Sequence, residues 1–364
     1  MKMMKRIERT SRIILIMVVV VSMSGCFKKS NEEKEKAADV VAQIEPVEST
    51  VLPTGHKVDT VKIGYVDVTG GGVLSDMLGV ARDQGFIEEE LSAIGVKAEL
   101  VPMTGAGPAI NEALAGKHLD IGVLGDVPAV IGKASGIDTQ IIAYSGLNNG
   151  ASLVVGKDAT YDSLEDMKGK KIATQRGAFM HRTLQYMLND VSLKERDIEF
   201  VNANAQDSAE LLVTGNVDGA VVGGVTLTRL VEQGFKVICD YREHPEWTAG
   251  SYVIARTEYI EENPDIILAF VRALVKAKEL CEQEKDTLLD QWVSTGESEA
   301  SYEYLYPNYD NYYTLGSSEA TIQNGKNTLQ FLLDNKLIVE GFDIEKWENA
   351  TFYTEAFKEL GEKQ

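Results

Sequence analysis

Residues 96–128, VKAELVPMTGAGPAINEALAGKHLDIGVLGDVP, carry the pattern that predicts the fold. An apolar run at 96–101 predicts a strand, and a glycine-rich loop then leads into a helix predicted at 109–115. A second apolar run at 120–124 predicts the next strand, and Gly125 follows it at the start of another helix. A strand, a helix and a further strand in this order predict parallel strands covered by helices.

The same alternation extends in both directions from this stretch and predicts an α/β protein with two lobes. Each lobe is expected to hold a mainly parallel sheet flanked by helices, and the C-terminal part is expected to be helical. The predicted strands are 61–66, 96–101, 120–124 and 141–144 in the first unit, 152–155, 171–174, 198–201 and 219–222 in the second, and 251–255 as a strand that returns to the first. The main predicted helices of the C-terminal part are 264–284, 286–294 and 318–335.

Two segments of the chain resemble each other loosely, 114–125 and 213–223. Each reads as a helix end, a glycine, a turn that ends in aspartate, a buried strand and a glycine loop. Any two αβ units share this order of elements, so the likeness can arise by chance. The alternative is a pair of matching lobes, each with a glycine loop at the carboxyl end of a strand, where open α/β sheets bind ligands.

Glycine-rich loops precede several predicted helices, and they indicate a site for a small anion. These loops are Gly70–Gly72, Gly105–Gly107, Gly125, Gly177 and Gly223–Gly224. A helix start leaves about four N–H groups without partners and carries about half a positive charge. Glycine lets a ligand approach that backbone, so several starts around one cleft would suit a sulfonate, phosphate, nitrate or carboxylate. Each loop taken alone is equally well read as a tight turn between a strand and a helix.

Two side chains near one of these loops are candidate ligand contacts. Arg176 could form a bidentate pair with an oxyanion, or it could be a solvated surface residue. His181 could donate a hydrogen bond to the ligand, or it could cap and pack beneath the loop.

No catalytic or metal-binding motif is found in the sequence. The G-x-S-x-G, H-E-x-x-H and Walker patterns are absent, and so are CxxC and cysteine–histidine spacings typical of zinc sites. The sequence therefore predicts neither an enzyme nor a resident metal or cofactor.

The N-terminal segment predicts export. Five basic residues within positions 2–12 precede an apolar run at 13–23, which is too short for a transmembrane helix. The following Ser24-Gly25-Cys26 resembles the lipobox of bacterial lipoproteins, in which the thiol of Cys26 would be lipidated. The expectation is a signal peptide over 1–25 and a membrane-anchored extracytoplasmic protein; an ordinary N-terminal anchor is the alternative.

Composition separates a tether from the folded part. Residues 26–57 are rich in Lys and Glu and predict a flexible tether. The net charge of −20 argues against nucleic acid as a partner.

Cys239 and Cys281 lie in apolar contexts that favour buried free thiols over a disulfide. The six tyrosines of residues 302–313 indicate packing on the C-terminal helices, with a transporter-docking patch as the alternative.

An ordered set of motifs resembles the substrate-binding proteins of sulfonate, nitrate and taurine ABC transporters. The set is Met103–Pro108, Glu112–Gly116, Asp120–Gly122, Gly125–Ala129, Leu164–Ala173, Arg176–His181 and Gly215–Gly219. The resemblance covers about residues 60 to 235, with a looser helical continuation.

The resemblance implies the type II periplasmic-binding-protein clamshell, in which two α/β lobes close on a solute. It implies a first lobe over 58–147 and 250–364 and a second lobe over 148–249, a monomer, and a permease that receives the solute. With the glycine loops, it predicts as ligand-binding residues Gly71, Gly72, Thr104, Gly105, Ala106, Gly107, Gly125, Asp126, Asn148, Arg176, Gly177, Ala178, Phe179, His181, Gly223 and Gly224.

Two departures from the family pattern bear on the ligand. Ala178 stands where the family often has serine, and residues 221–226 lack the tryptophan usual in sulfonate binders. The alternatives are therefore a pyrimidine or other heterocyclic solute, for which Phe179, Trp247 and Asp126 could supply stacking and a carboxylate, or a related pyrimidine-synthesis enzyme.

Overall fold

The structure is a computed structural model, and it describes residues 54–67, 74, 76–284, 286–305 and 314–361. The predicted signal peptide, Cys26 and most of the predicted tether lie outside the described residues. Gly71 and Gly72 lie outside them as well.

The described residues form two five-stranded sheets and the helices that cover them. The strands are β1 (Thr60–Val66), β2 (Lys97–Met103), β3 (Ile121–Gly125), β4 (Thr139–Asn149), β5 (Ala151–Val155), β6 (Lys171–Thr174), β7 (Glu199–Asn202), β8 (Gly219–Gly223), β9 (Lys236–Cys239) and β10 (Ala249–Arg256). The α-helices are α1 (Met77–Asp83), α2 (Phe86–Ser92), α3 (Ala106–Ala115), α4 (Asp126–Ala134), α5 (Phe179–Asp190), α6 (Ala205–Val213), α7 (Gly224–Glu232), α8 (Thr257–Glu262), α9 (Pro264–Gln283), α10 (Thr287–Ser294), α11 (Glu299–Leu305), α12 (Glu319–Asp334), α13 (Ile344–Trp347) and α14 (Thr351–Leu360).

Both sheets have the same design, with four strands in one direction and one reversed. The first sheet has the order β2-β1-β3-β10-β4, and β10 is antiparallel to both of its neighbours. The second has the order β7-β6-β8-β5-β9, and β5 is the reversed strand. Each sheet is therefore mixed, although most of its strands share one direction.

The reversed strands explain how the two lobes face each other. The chain leaves β4 at its carboxyl end and enters β5 after Gly150, and it returns from β9 into β10. Because β5 and β10 run against their neighbours, both crossings lie at the edge of the sheet where the other strands end. The carboxyl ends of eight strands, four in each lobe, thus face the same gap.

Small residues let helices pack closely on these sheets. A Cβ atom at Gly122 of β3 would lie 2.6 Å from Ile110 Cγ2 of α3. A Cβ atom at Gly64 of β1 would lie 2.2 Å from Leu119 Cδ1. Carbon atoms do not approach each other so closely, so a side chain at either position would clash. Helix α3 and the loop after it therefore pack directly on the backbone of the sheet.

The C-terminal helices differ from the prediction that they belong wholly to the first lobe. The long helix α9 packs on α1, α2 and α14 of the first lobe, whereas α11 packs on α7 of the second. An ion pair of 2.5 Å between Arg229 and Glu297 ties the segment before α11 to the second lobe. This segment therefore contacts both lobes.

The end of the predicted tether is also part of the folded unit. His56 Nδ1 lies 2.7 Å from Asp265 Oδ2, and the Lys57 amide donates to Asn263 Oδ1 at 2.8 Å. These contacts join the segment before β1 to the start of α9, so a tether that extends to residue 57 is too long.

The two cysteines of the described residues are free and buried, as predicted. Burial raises the pKa of each thiol to about 12. Within the described residues, no helix has the length and the apolar character needed to cross a membrane.

Candidate functional site

A cavity of about 360 Å³ lies between the two lobes, where the carboxyl ends of their strands meet. The first lobe contributes Asp67, Thr104, Gly125 and Asn149, which stand at or just after the ends of β1, β2, β3 and β4. The second contributes Gln175, Asn204, Gly223 and Tyr241, which stand at or after the ends of β6, β7, β8 and β9. The cavity therefore lies where α/β sheets commonly bind ligands.

Three helices of the second lobe begin at the wall of the cavity. They are α5, α6 and α7, with wall residues Phe179 and Met180, Ala205 and Gln206, and Gly224 and Val225. No side chain caps the start of α5 or α7, whereas the Asn204 side chain accepts from the Asp207 amide in α6. Uncapped N–H groups and the positive ends of two helix dipoles therefore face the cavity.

Helices α3 and α4 of the first lobe also begin at the cavity, but they are closely packed against each other. A Cβ atom at Gly107 would lie 2.3 Å from Pro128 Cγ. The Val127 amide at the start of α4 already donates to Asp126 Oδ1 at 2.7 Å. Ala106 has a φ of 55°, which is unusual for a residue with a side chain and places backbone strain at the cavity wall.

Two carboxylates lie on the wall that the first lobe contributes. Asp67 is 3% exposed, and Asp76 accepts from the Gly79 amide at 3.1 Å as the N-cap of α1. Burial is the main cause that raises the pKa of Asp76. No lysine, arginine or histidine is among the described residues of the cavity wall.

Aromatic rings complete the wall. Tyr65 of β1 and Tyr241 are 4% and 5% exposed, and Phe179 lies at the start of α5. The Tyr241 ring packs against the crossing itself, because a Cβ atom at Gly150 would lie 1.8 Å from Tyr241 Cδ2. Only glycine fits at this crossing without displacement of the ring.

A buried ion pair joins the two lobes beside the cavity. Arg182 Nη1 of α5 donates to Asp126 Oδ2 of α4 at 2.8 Å, and both side chains are at most 2% exposed. The same carboxylate oxygen accepts from Thr328 Oγ1 of α12 at 2.9 Å and from the Gly250 amide at 3.3 Å. Arg182 also donates to Thr328 Oγ1 and, at 2.8 Å, to the Thr248 carbonyl. This network connects α4, α5, α12 and the start of β10.

Arg176 and His181, the two side chains that the sequence suggested as ligand contacts, form a separate cluster with Glu195. Arg176 Nη2 donates to Glu195 Oε1 at 2.6 Å, and His181 Nε2 lies 2.9 Å from Glu195 Oε2. The Arg176 guanidinium also stacks on the Phe200 ring at 4.2 Å. Burial lowers the pKa of His181. The pKa of Glu195 lies below its usual range, because burial, which raises it, is outweighed by the hydrogen bonds from Arg176 and His181.

The structure places eight of the predicted ligand-binding residues on the cavity wall. They are Thr104, Ala106, Gly107, Gly125, Ala178, Phe179, Gly223 and Gly224. Gly105 and Gly177 adjoin wall residues in sequence, and Asn148 lies in β4 next to Asn149.

Three predicted ligand-binding residues with charged or ionisable side chains lie away from the cavity wall. Asp126 is fully buried in the pair with Arg182, and Arg176 and His181 bind Glu195 away from the wall. A buried charge such as that of Asp126 requires a partner. Arg176 is exposed, and Glu195 holds it together with the buried His181. Trp247, considered for stacking, instead lies against His244, with ring centroids 3.6 Å apart.

Sequence reasoning missed Asp67, Asp76, Tyr65, Tyr241 and Arg182. For Asp67 a signal existed, because it follows directly after the first predicted strand, as Gly125 does after the third. The partner of Arg182 is 56 residues away in the sequence, and no local pattern indicates such a contact.

The described residues contain no group of three or more His, Cys, Asp or Glu side chains arranged to hold a metal ion. The described wall of the cavity has helix starts on one side, two carboxylates on the other and aromatic rings at the crossing.

Two mixed α/β sheets joined by two crossings around a shared cavity define the two-lobed binding-protein class. A family model described as NMT1/THI5 like matches residues 77–286, and the chain belongs to this family. The resemblance to sulfonate- and nitrate-binding proteins that the sequence motifs indicated is confirmed, and so is the two-lobed fold.

The chain is similar to a Bacillus subtilis (strain 168) protein named as an aliphatic sulfonates-binding protein, with 26% identity over 208 residues. The match covers 56% of this chain and 61% of that protein. A Haemophilus influenzae protein named as a thiamine biosynthesis protein is 32% identical over 145 residues, which are 40% of this chain and 44% of that protein. The chain thus spans less than two thirds of the length of these curated relatives.

A solved structure of a Methylobacillus flagellatus KT protein has the same fold. That protein is described as a periplasmic sulfonate-binding protein of an ABC transporter. The TM-score is 0.70 and the identity 28%, and the match covers 84% of this chain and 96% of that chain.

Proposed function

We propose that the chain is the extracytoplasmic solute-binding protein of an ABC importer, which captures a small anion such as a sulfonate, nitrate or taurine between its lobes and delivers it to a permease. The observation that carries this proposal is the cavity at which helices from both lobes begin. Relatives with the same fold are named as sulfonate-binding proteins. An enzymatic role is not proposed, because these relatives bind solutes.

The acid group of the solute would lie at the uncapped starts of α5 and α7. Backbone N–H groups there have no side-chain partner, and the helix dipoles favour negative charge. Gly223 and Gly224 allow close approach to this backbone. No charged side chain is required, which agrees with the placement of Arg176 away from the wall.

The domain assignments from the sequence complete this proposal. A signal peptide would span 1–25, the lipidated Cys26 would anchor the protein to the membrane, and the tether would end before His56. Two lobes would close on the solute as a monomer, by a shift of a pre-existing equilibrium.

A second candidate keeps the fold and changes the solute to a pyrimidine or another heterocycle. The similarity to a protein named as a thiamine biosynthesis protein favours it, and so do the rings of Phe179 and Tyr241 on the wall. Flat ligands stack on such rings.

A thermal-shift panel of alkanesulfonates, nitrate, phosphonates and pyrimidines on the full chain tests both candidates. A ligand at about 100 times its Kd is expected to stabilise the protein by about 2.7 kcal/mol. The sulfonates are expected to raise the Tm; a rise with pyrimidines alone would support the second candidate. No shift with any compound at millimolar concentration would contradict both.

A further inference from the structure

The two helices α10 and α11 (residues 287–305) are joined to the first lobe at both ends of their segment. The chain enters them from α9, which packs on α1 and α2 of the first lobe. After them, the described chain resumes at residue 314, and the Leu315 carbonyl accepts from the Tyr144 amide of β4 at 2.9 Å. The segment therefore leaves the first lobe and returns to it.

A buried tryptophan joins the two helices to each other. Trp292 Nε1 of α10 donates to Ser301 Oγ of α11 at 2.7 Å and also to the Ser298 carbonyl at 3.1 Å. The rings of Trp292 and Tyr302 lie 6.2 Å apart in an edge-to-face arrangement, and the tryptophan is 1% exposed. Separation of the helices would expose these rings and break the hydrogen bonds of the indole N–H, so we expect the two helices to move as one unit.

The contact of this unit with the first lobe is closely packed. Leu288 and Trp292 of α10 are at most 3% exposed, and α10 packs on α1. Gln291 Nε2 donates to Asp83 Oδ2 of α1 at 3.1 Å, and it lies 2.5 Å from the position that a Cβ atom would have at Gly79. Close-packed surfaces with buried apolar side chains are costly to separate in water.

The contact with the second lobe includes polar groups at the carboxyl end of α7. Arg229 Nη2 donates to Glu297 Oε1 at 2.5 Å, and Ser298 Oγ donates to Glu232 Oε1 at 2.6 Å. The Arg229 side chain is 55% exposed, so water can take the place of its partner when the surfaces separate.

A further contact with the second lobe lies beside the cavity. The Arg242 guanidinium lies over the Tyr304 ring at 3.8 Å, and Tyr304 OH donates to Asp240 Oδ2 at 3.4 Å. Tyr241 OH donates to the Leu305 carbonyl at 3.2 Å, and both of these residues line the cavity. The last turn of α11 therefore forms part of the cavity wall while it is bonded to the second lobe.

We infer that α10 and α11 form a strap of the first lobe, which binds the second lobe and favours the closed arrangement in the ligand-free chain. Wider opening of the cavity requires the strap to separate from α7 and Tyr241, because α10 is closely packed on α1 and both chain connections lead to the first lobe. The inference goes beyond the proposed function, since it concerns the two lobes in the absence of a solute. It also implies that the strap slows the release of a bound solute.

A charge-swap cycle on the full chain tests the strap without any solute. Glu297→Arg and Arg229→Glu each place two like charges at the contact, and the double variant restores an opposite pair. Small-angle X-ray scattering of the ligand-free chain is expected to show a larger radius of gyration in each single variant, because like charges repel and the lobes separate. The double variant is expected to return to the radius of the parent protein.

An ion pair within the first lobe provides the matched control. Lys326 Nζ lies 2.5 Å from Glu345 Oε1, and both side chains are about half exposed, as that of Arg229 is. Lys326→Glu is expected to leave the radius unchanged. An unchanged radius in both single variants would overturn the inference. A radius that stays large in the double variant would show general loosening and would overturn it as well.

Tyr304→Ala decides the matter if the charge variants fail to fold. It removes the ring that lies under Arg242, and it is expected to increase the radius of the ligand-free chain. The parent radius in this variant would then overturn the inference.

The release of ethanesulfonate is the second measurement. Stopped-flow dissociation is expected to be about two- to fivefold faster in the single variants, which is the range that one partly exposed ion pair allows. Equal rates in parent and single variants would contradict the effect of the strap on release. If the parent does not bind ethanesulfonate, the proposed function loses support for this solute, while the scattering result still decides the inference.

Discussion

At the scale of single residues, Asp126 has the sequence position of a ligand-binding residue but the contacts of a buried ion pair. It follows a glycine loop at a helix start, as a ligand-binding residue would. Its carboxylate instead accepts hydrogen bonds from Arg182, Thr328 and the Gly250 amide, and it is fully buried. A buried charge needs partners for all its hydrogen-bonding capacity, and here they come from three distant parts of the chain.

Breaking this pair is expected to destabilise the protein strongly. Asp126→Leu or Arg182→Met leaves one charge buried without its partner, which costs about 3–5 kcal/mol of unfolding free energy. The double variant Asp126→Leu/Arg182→Met is expected to lose clearly less than the sum of the two single losses, because no unpaired charge is left. Urea unfolding of the three variants measures this; single losses below about 1 kcal/mol would contradict it.

At the scale of elements, the helix starts were the most predictable part of the site. The sequence indicates glycine-rich loops before α3, α4, α5 and α7, and each of these loops contributes wall residues to the cavity.

The bounds of helices and strands were less predictable than their existence. The sequence pattern predicts a start of α3 at residue 109, but the helix begins at Ala106, with Pro108 in its first turn, where its missing N–H costs no hydrogen bond. Strand β4 extends to Asn149, well beyond the predicted end at residue 144, because it pairs with β10 along the crossing.

A matched pair of glycine substitutions tests the role of the α7 start. Gly224 and Gly215 have φ values of 55° and 71°, and a Cβ atom at either would meet no atom within 4 Å. Both Gly224→Ala and Gly215→Ala are therefore expected to cost about 1 kcal/mol of stability through backbone strain.

Only Gly224→Ala is expected to weaken solute binding, because Gly224 lies on the cavity wall and Gly215 does not. Calorimetric titration with the solute found in the thermal-shift panel, beside urea unfolding of both variants, separates the two effects. An equal loss of affinity in both variants would show that strain alone lowers binding.

At the scale of the whole molecule, the described residues link the lobes beside the cavity through the crossings at Gly150 and before β10 and through the network of Asp126 and Arg182. Segment 297–305, which packs on α7, adds a third contact. A solute that contacts both walls is expected to favour closure, since it interacts with both lobes only when they approach each other.

Small-angle X-ray scattering on the full chain tests this closure. Saturation with the solute is expected to decrease the radius of gyration, and Gly150→Ala is expected to abolish this decrease because its Cβ atom would displace the Tyr241 ring at the crossing. Gly156→Ala is the control, since a Cβ atom there would meet no atom within 4 Å, its φ is not positive and the residue lies outside the cavity wall. An unchanged radius in the parent protein on saturation would contradict closure.

The alternation of strands and helices, the two-lobed α/β fold and the glycine loops around the cavity are all predictable from the sequence. These features follow from local patterns, because hydrophobic periodicity and glycine at turns act over a few residues. Which charged groups line the cavity depends on the tertiary structure. Asp126, Arg176 and His181 are held by partners that the fold brings to them, whereas Asp67 and Asp76 line the cavity. Whether a charge is paired depends on contacts between distant residues, and no local pattern records such contacts.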